Sequence, residues 1–280
     1  MCRVPPAIDG NSTRRRPEDP KTSISRKLPL VWARLPRSVR RPVVRLMRHE
    51  RLRLGLLDRL GIRSRSGFIT VSAGGADAIR RAMRHLAEGG VQGDYYEFGL
   101  YRGYTFWSAQ KAADAAGLAG MRFFGFDSFA GLPEVGGPDL DSGVFIPGDY
   151  RAGKDEVERY ITDHGFDWSR ATLIEGFFDR SLHPGLRAEH QMGPAALVMV
   201  DCDLYQSTVP VLRFLRDLLQ DGTVVLFDDW YCFGEAPDKG EPRAFREFLD
   251  ANPEWTAEHL MDYPSFGCGF VMRRAAASPN

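Results

Sequence analysis

The sequence predicts an α/β fold, a doubly wound and mostly parallel β-sheet with helices on both faces. Three observations support this prediction: strand and helix patterns alternate along residues 66–280, two strand patterns are apolar throughout, and acidic residues directly follow several strands. Apolar runs are typical of parallel strands that helices bury on both faces. Regular alternation of strands and helices is typical of such a sheet.

Each element is predicted from its local pattern. The first helix ends at Gly89-Gly90, because glycine commonly follows a helix C-terminus, and Gly117 stops the second helix. The two apolar strands have the sequences AALVMV and TVVLF. In chain order, the predicted helices are 76–87, 104–116, 209–219 and 242–251, and the predicted strands are 94–100, 122–127, 171–175, 195–201, 223–227, 256–261 and 267–272.

Length and composition exclude several classes of protein. The chain has 280 residues, which suffices for one large domain with a small appendage. No apolar run reaches the roughly 18 residues that a membrane-spanning helix needs. Four scattered cysteines without a CxxC pair argue against a disulfide scaffold or a zinc finger, so we expect a cytoplasmic protein.

Charge separates the N-terminal region from the rest of the chain. Residues 1–65 contain 18 Lys and Arg against 5 Asp and Glu, whereas residues 66–280 contain 19 against 32. We expect a disordered basic tail over 1–28 and a basic helical extension or cap over 29–65. An anionic membrane surface or nucleic acid is the alternative partner for these arginines, but without interleaved aromatic residues we expect no nucleic acid. The arginine-rich helices could also mediate a homo-oligomer.

The end of the first strand carries an acid and two glycines. Glu97 is followed by Gly99 and Gly103, and a helix begins directly afterwards. Glycine allows a tight turn and a close approach to a ligand, and an acid suits a ligand with an ammonium group, such as the amino-acid end of S-adenosylmethionine (SAM). A purely structural turn is the alternative.

The end of the second strand carries Asp127. In nucleotide-binding α/β folds, an acid at this point binds ribose hydroxyls, about 20 residues after the glycine turn. The alternative is an aspartate that caps a helix or a turn. The two strand ends together favour an adenosine ligand.

Four further acids follow the two apolar strands: Asp201, Asp203, Asp228 and Asp229. Carboxylates at neighbouring strand ends repel one another, and a divalent cation with hard oxygen ligands, Mg²⁺ above all, removes that cost. Solvated carboxylates or helix caps are the alternative.

Five segments together resemble the macrocin O-methyltransferase (TylF/MycF-like) family of SAM-dependent enzymes. The resemblance covers about residues 85–275. The segments are YEFGLYRG (96–103), GFDSFAGLPE (125–134), LIEGFFDRSL (173–182), VDCDLYQSTVPVL (200–212) and DGTVVLFDDW (221–230).

The resemblance implies a Rossmann-like class I methyltransferase sheet of seven strands, the last of them antiparallel, preceded by the N-terminal helical extension. It also implies the site residues. Glu97, Gly99 and Gly103 would line the methionine end of SAM, and Tyr101 would also bind this cofactor. Asp127 would bind the ribose with Ser128 beside it, and Glu175, Gly176, Phe177 and Phe178 would flank the adenine. Asp201, Asp228 and Asp229 would hold Mg²⁺. Leu204 stands where catechol-type relatives have a lysine base, and Cys202 replaces a common glycine.

The expected reaction is methyl transfer to a hydroxyl of a small molecule of the sugar, polyketide or other secondary-metabolite type. Asp201 is the leading general base, ahead of Tyr205, His183 and His190. The aromatic residues after the acid pair, Trp230, Tyr231 and Phe233, are predicted to line the acceptor side or to belong to a lid or the core.

Three other functions remain open on the sequence. The Asp201-Cys202-Asp203 segment also matches the DxD pattern of metal-dependent glycosyltransferases, but these need neither the glycine turn nor Asp127. The absent third glycine argues against an NAD-dependent oxidoreductase. A non-catalytic SAM-binding or regulatory module is the third alternative.

Overall fold

The computed structural model describes residues 67–140, 145–234, 238–264 and 266–275. The predicted basic tail (1–28) and helical extension (29–65) lie outside the described residues. Within the described ranges, no helix is both long enough and apolar enough to cross a membrane.

A seven-stranded sheet forms the centre of the domain, in the order β3-β2-β1-β4-β5-β7-β6. Neighbouring strands from β3 to β5 are parallel, while β7 is antiparallel to both of its neighbours. This confirms the predicted fold class and the antiparallel last strand. The strands are β1 (Asp94–Phe98), β2 (Phe123–Asp127), β3 (Ala171–Glu175), β4 (Ala195–Val200), β5 (Val224–Phe227), β6 (Trp255–Tyr263) and β7 (Gly267–Arg274).

Helices cover both faces of the sheet. They are α1 (Gly67–Gly89), α2 (Tyr104–Ala115), α3 (Lys154–Asp163), α4 (Phe178–Ser181), α5 (Leu186–Glu189), α6 (Tyr205–Leu215) and α7 (Gly240–Ala251), with 3₁₀ turns at Gly137–Asp139 and Trp168–Arg170. Helix α1 packs against α2 on one face, and α6 packs against α7 on the other. The strands alternate between these two cores. For example, Tyr95 belongs to the first core and Tyr96 to the second.

Several helices differ from the sequence prediction: α1 begins at residue 67 rather than 76, and the short helices α4 and α5 were not predicted. Helix α6 begins at Tyr205 rather than at residue 209, because Ser207 and Thr208 already donate backbone hydrogen bonds to the Leu204 carbonyl. Pro210 therefore lies inside the helix, where it cannot donate a backbone hydrogen bond. Helix α3 was not predicted, since only Val157 and Ile161 of its residues are buried and the apolar pattern is short.

Candidate active site

A cavity of about 1040 Å³ opens at the carboxyl ends of the central strands. The chain leaves the centre of the sheet in opposite directions after β1 and β4, which are neighbours. Ligands of open α/β sheets bind at such a point. Of the residues predicted for the site, the cavity is lined by Gly99, Tyr101, Asp127, Ser128, Gly176, Phe177, Phe178, Asp201, Asp228 and Asp229. Glu97, Gly103 and Glu175 do not line it.

Gly99 joins the donor-side turn to the acidic strand end. Its φ of 92° lies in the left-handed region, and a Cβ at this position would stand 1.8 Å from the Asp201 carbonyl oxygen. The Gly99 amide donates to the Phe126 carbonyl (2.8 Å), and the Asp201 amide donates to the Phe98 carbonyl (2.8 Å). The backbone can make this close approach only because residue 99 lacks a side chain.

Gly103 allows close packing against α3 and does not line the cavity. It is the residue before α2 and has a φ of 78°. A Cβ there would lie 2.6 Å from Cδ1 of Ile161, on α3. The sequence pattern therefore identified a glycine that the fold requires, but its position does not match the predicted ligand contact.

Glu97 is fully buried beneath the cavity wall. Its Oε1 accepts a hydrogen bond from the Thr105 hydroxyl at 2.6 Å, and its Oε2 accepts one from the Tyr95 hydroxyl. Burial raises the pKa of Glu97 to about 7, although both hydroxyls lower it. Glu97 does not line the cavity, whereas Thr105, which donates to Glu97, does.

Asp127 orders the turn that follows β1. Its Oδ2 accepts backbone hydrogen bonds from Leu100 (2.7 Å) and Tyr101 (3.1 Å), and its Oδ1 accepts one from Phe129 (2.7 Å). Burial raises the pKa of Asp127, and these three donors counteract that rise. The turn-capping alternative is thus observed, and the carboxylate also faces the cavity, where spare lone pairs of its oxygens remain for a ligand hydroxyl.

Glu175 points away from the predicted adenine pocket. Its side chain is 57% exposed and lies 3.7 Å from the Lys154 ammonium. The next residues do line the cavity, and the Gly176 amide donates to the Asp127 carbonyl at 2.9 Å. The backbone of β3 therefore positions Gly176, Phe177 and Phe178 at the cavity, whereas Glu175 forms a surface ion pair.

The acids after β4 and β5 meet at one wall of the cavity, as the sequence predicts. Burial raises the pKa of each carboxyl: to about 8 for Asp228, to about 6 for Asp229, and well above the ordinary range for Asp201 and Asp203. The charges of neighbouring acids add to the rise at Asp228, Asp201 and Asp203, whereas a hydrogen bond from Asp203 counteracts it at Asp229. Asp203 has a φ of 63°, and its side chain hydrogen bonds with that of Asp229. When ionised, the carboxylates at this wall of the cavity therefore repel one another.

Glu241, in the first turn of α7, is a fifth acid that sequence reasoning missed. It is fully buried, and its Oε2 accepts a hydrogen bond from the Asp229 amide at 3.1 Å. Its Oε1 and the Oδ2 of Asp229 are buried without any hydrogen-bond partner among the described residues. Burial and the charges of Asp229, Asp201 and Asp228 raise the pKa of Glu241 well above its ordinary value. No local motif marks this residue, because only the docking of α7 brings it to Asp229.

The donor set fits a hard divalent cation in its chemistry. Carboxylate oxygens are the preferred ligands of Mg²⁺, and buried oxygens without partners are the atoms that a cation would satisfy. The carboxylate oxygens are spaced too widely to coordinate one ion as they stand. In the described part of the chain, the oxygens of Asp201, Asp228 and Asp229 are not gathered within 4.8 Å of one another. Binding would therefore draw these side chains together.

The second-rank base candidates lie away from the cavity. The Tyr205 hydroxyl donates to Glu247 on the protein surface, and His183 lies 3.7 Å from Glu189. Neither they nor His190 line the cavity.

The aromatic residues after Asp229 also lie off the cavity wall. Trp230 packs against Phe270, with 4.8 Å between ring centroids, and Phe233 packs against Phe145 at 5.7 Å. Trp230 and Phe233 are partly buried and pack against the hydrophobic core, which is one of the predicted alternatives. Tyr231 donates its hydroxyl hydrogen to Asp262 at 3.1 Å.

The outer cavity wall comes from a segment without a recognisable motif. Leu132, Pro133 and Tyr150 line the cavity between β2 and α3, together with Gln206 of α6. Tyr150 is 53% exposed and makes an edge contact with Tyr101 at 5.7 Å. An aromatic residue before a helix was too weak a signal to identify it from the sequence.

The comparisons with known proteins support the fold and identify a family. Residues 63–249 match the family model for "Macrocin-O-methyltransferase (TylF)". A Streptomyces olivaceus protein, 8-demethyl-8-(2,3-dimethoxy-alpha-L-rhamnosyl)-tetracenomycin-C 4'-O-methyltransferase, is 28% identical over 159 residues, which are 55% of this chain and 59% of that protein. The chain thus spans about three-fifths of the length of this curated relative.

Solved structures share the fold. The O-methyltransferase NovP matches with a TM-score of 0.59 and 21% identity, over 71% of this chain and 79% of that one. The calicheamicin methyltransferase CalS11 matches with a TM-score of 0.53 and 21% identity, over 95% and 99% of the two chains. The order of the strands, the cavity at their carboxyl ends and the family match agree, and the chain belongs to the macrocin O-methyltransferase (TylF) family.

Proposed function

We propose that this protein transfers the methyl group of SAM to a hydroxyl oxygen of a small sugar-containing molecule. The observation that carries the proposal is the shared cavity, in which the glycine turn, Asp127 and the acids after β4 and β5 line one continuous space. Membership of an O-methyltransferase family supports the same activity.

The donor would bind in the half of the cavity formed by β1, β2 and β3. Asp127 holds the turn with three backbone hydrogen bonds and presents its carboxylate for a ribose hydroxyl. Phe177 and Phe178 line the same half and offer apolar surface for an adenine ring.

The acceptor would bind opposite, at the acidic wall. Asp201, Asp228 and Asp229 would hold a divalent cation there, which, when bound, lowers the pKa of a coordinated hydroxyl. Asp201 is the leading candidate to receive the acceptor proton, because it lines the cavity beside the turn that would hold the donor. Fixed alignment of the two reactants can supply about 7–11 kcal/mol of barrier lowering.

A deoxysugar is the proposed acceptor class. The Streptomyces olivaceus relative is named for methylation on a rhamnosyl unit, and a CalS11 structure is described as a TDP-rhamnose 3'-O-methyltransferase. A cavity of about 1040 Å³ has room for SAM together with such a sugar.

The test is mass spectrometry after incubation with methyl-labelled SAM and a panel of acceptors. The panel contains TDP-rhamnose, rhamnosylated aglycones and simple catechols. We expect one labelled methyl group on a sugar hydroxyl, and no product with Asp201→Asn. Labelling of catechols alone would overturn the acceptor class, whereas no labelling together with no thermal stabilisation by S-adenosylhomocysteine would overturn the donor as well.

The same thermal-shift measurement separates the alternatives. Stabilisation by S-adenosylhomocysteine is expected here, whereas a glycosyltransferase would respond to UDP-sugars and an oxidoreductase to NAD. The DxD segment does not favour a glycosyltransferase. Asp201 and Asp203 share one wall with Asp228 and Asp229 next to the glycine turn, which a glycosyltransferase does not need.

A further inference from the structure

Three different metal-ligating side chains converge on the β6–β7 hairpin, outside the cavity. They are His259, Asp262 and Cys268, and one ligand atom from each lies within 4.8 Å of the other two. The His259 Nε2 is 3.0 Å from the Asp262 Oδ1. Among the described residues, this is the one set of three His, Cys, Asp or Glu side chains with such spacing.

A β-bulge produces the convergence. In a regular strand, residues 259 and 262 would face opposite sides of the sheet. Here the pairing shifts between His259 and Met261: His259 lies opposite Phe270, Met261 opposite Gly269, and Asp262 opposite Cys268. The extra residue in β6 brings His259 and Asp262 onto the face that carries Cys268. Bulges that re-aim side chains in this way are frequent near functional sites.

We propose that His259, Asp262 and Cys268 bind a divalent cation of the zinc class, at a site separate from the acids after β4 and β5. An imidazole nitrogen, a carboxylate oxygen and a thiolate sulphur are the three ligand types that Zn²⁺ takes in proteins, whereas Mg²⁺ prefers oxygen alone. The described residues supply three ligands, which leaves the fourth tetrahedral position to water.

The surroundings support a bound cation. His259 and Asp262 are 36% and 49% exposed, so an ion can enter from solvent, while Cys268 closes the inner side as a buried residue. The Tyr231 hydroxyl donates to Asp262 at 3.1 Å and orients that carboxylate, as a residue behind a metal ligand commonly does. Tyr231 follows Asp228, Asp229 and Trp230 directly, so a cation here would fasten the hairpin to the loop that carries two acids of the cavity.

Binding requires the Cys268 thiol to lose its proton. Without a cation, burial and the negative charge of Asp262 raise the pKa of this thiol, and the thiol hydrogen bonds with Asp262. Coordination forms the metal–sulphur bond, breaks the S–H bond and releases one proton to the buffer, with no redox change. Proton release is therefore a direct signature of the site.

Cobalt titration of the full chain, first stripped by a chelator, tests the proposal. We expect the thiolate-to-cobalt charge-transfer band to saturate at one Co²⁺ per chain in the presence of excess Mg²⁺, which occupies the proposed all-oxygen site at the cavity. Equimolar Zn²⁺ should displace this Co²⁺, excess Mg²⁺ should not, and one proton should be released per Zn²⁺. Cys268→Ser should lose the band, and His259→Ala, on the surface, should weaken binding at least about tenfold. Tyr231→Phe should weaken it by about 10–100-fold.

Matched variants separate this site from others. His183→Ala removes another surface histidine next to a carboxylate, Cys232→Ser another buried thiol, and Asp228→Asn an acid of the cavity; all three should retain the band. If the wild type shows no such band, or if His259→Ala binds Co²⁺ as tightly as the wild type does, the three side chains form only a hydrogen-bonded network and the proposal is wrong. The outcome is independent of methyl transfer.

Discussion

The two halves of the cavity satisfy their carboxylates in different ways. On the side of β1–β3, both oxygens of Asp127 accept backbone hydrogen bonds and both oxygens of Glu97 accept hydroxyl hydrogen bonds. On the side of β4 and β5, one oxygen of Asp229 and one of Glu241 are buried without a partner among the described residues. The carboxylates of the first half are hydrogen-bonded without a ligand, whereas those of the second half must either be protonated or have their charge offset by the proposed cation.

The largest effect is expected from removing charge at the acidic wall. Asp201→Asn or Asp228→Asn should lower kcat by about 10³-fold or more, because a proton acceptor or a cation ligand is lost, while S-adenosylhomocysteine still binds with a dissociation constant within about twofold of the wild type, as calorimetry would show. Asp217→Asn, which breaks a surface ion pair with Arg187, is the matched control. Full activity in either variant, or in excess chelator, would show that the reaction does not require the proposed metal.

A smaller effect is expected from the donor half. Asp127→Asn keeps one carbonyl oxygen but turns an NH₂ group toward backbone amides that also donate. Because this leaves buried donors unpaired, unfolding free energy should fall by about 1–3 kcal/mol, and S-adenosylhomocysteine affinity should fall as the turn loosens. Denaturant unfolding and calorimetry measure both quantities. Unchanged stability would mean that the three hydrogen bonds of Asp127 do not order the turn.

Both halves should make the stability of the folded state depend on pH in the same direction. Glu97, Asp228 and Asp229 have folded-state pKa values raised to about 7, 8 and 6. The folded state therefore binds more protons than the unfolded state between about pH 4 and pH 8, and stability must fall as pH rises through this window. In chelator, the melting temperature should be higher at pH 5.5 than at pH 8.

Magnesium should reverse this trend for the acidic half alone. Added Mg²⁺ should stabilise the protein at pH 8 by offsetting the charges of ionised Asp228 and Asp229, and Asp228→Asn should abolish most of that response. The residual slope from Glu97 should remain, since Glu97 does not line the cavity. Equal melting temperatures at pH 8 with Mg²⁺ and with chelator would contradict a cation at this wall.

The smallest effect is expected at Glu175. Because its side chain is exposed and pairs only with Lys154, Glu175→Gln should change S-adenosylhomocysteine affinity by less than about twofold and stability by less than about 0.5 kcal/mol. Titration calorimetry measures the S-adenosylhomocysteine affinity of this variant. A tenfold loss of S-adenosylhomocysteine affinity would instead indicate that Glu175 contacts the adenine, as the family resemblance implies.

Periodicity and topology explain how much the sequence could predict. The strand at Ala171–Glu175 has the predicted limits, and the acids at the ends of β4 and β5 share one wall because parallel strands end at the same edge of a sheet. These features depend on local pattern and on one general rule about sheets, so they need no knowledge of packing.

The features that the sequence could not predict depend on how distant segments dock. Glu241 reaches Asp229 only through the position of α7, and Tyr150 reaches the cavity through a segment with no periodic pattern. The side-chain direction of Glu97 depends on two hydroxyls that happen to face it. The bulge that gathers His259 and Asp262 is set by strand register, which no single strand encodes.

The missing side chain at residue 99 has a consequence for how this protein can change. Since the backbone of Gly99 rests against the carbonyl of Asp201, any displacement of one segment displaces the other. Natural or laboratory evolution of a new acceptor preference should therefore leave this junction untouched and alter the opposite rim around Leu132, Pro133 and Tyr150. Libraries confined to that rim would explore new substrates while the proposed site of methyl transfer keeps its alignment.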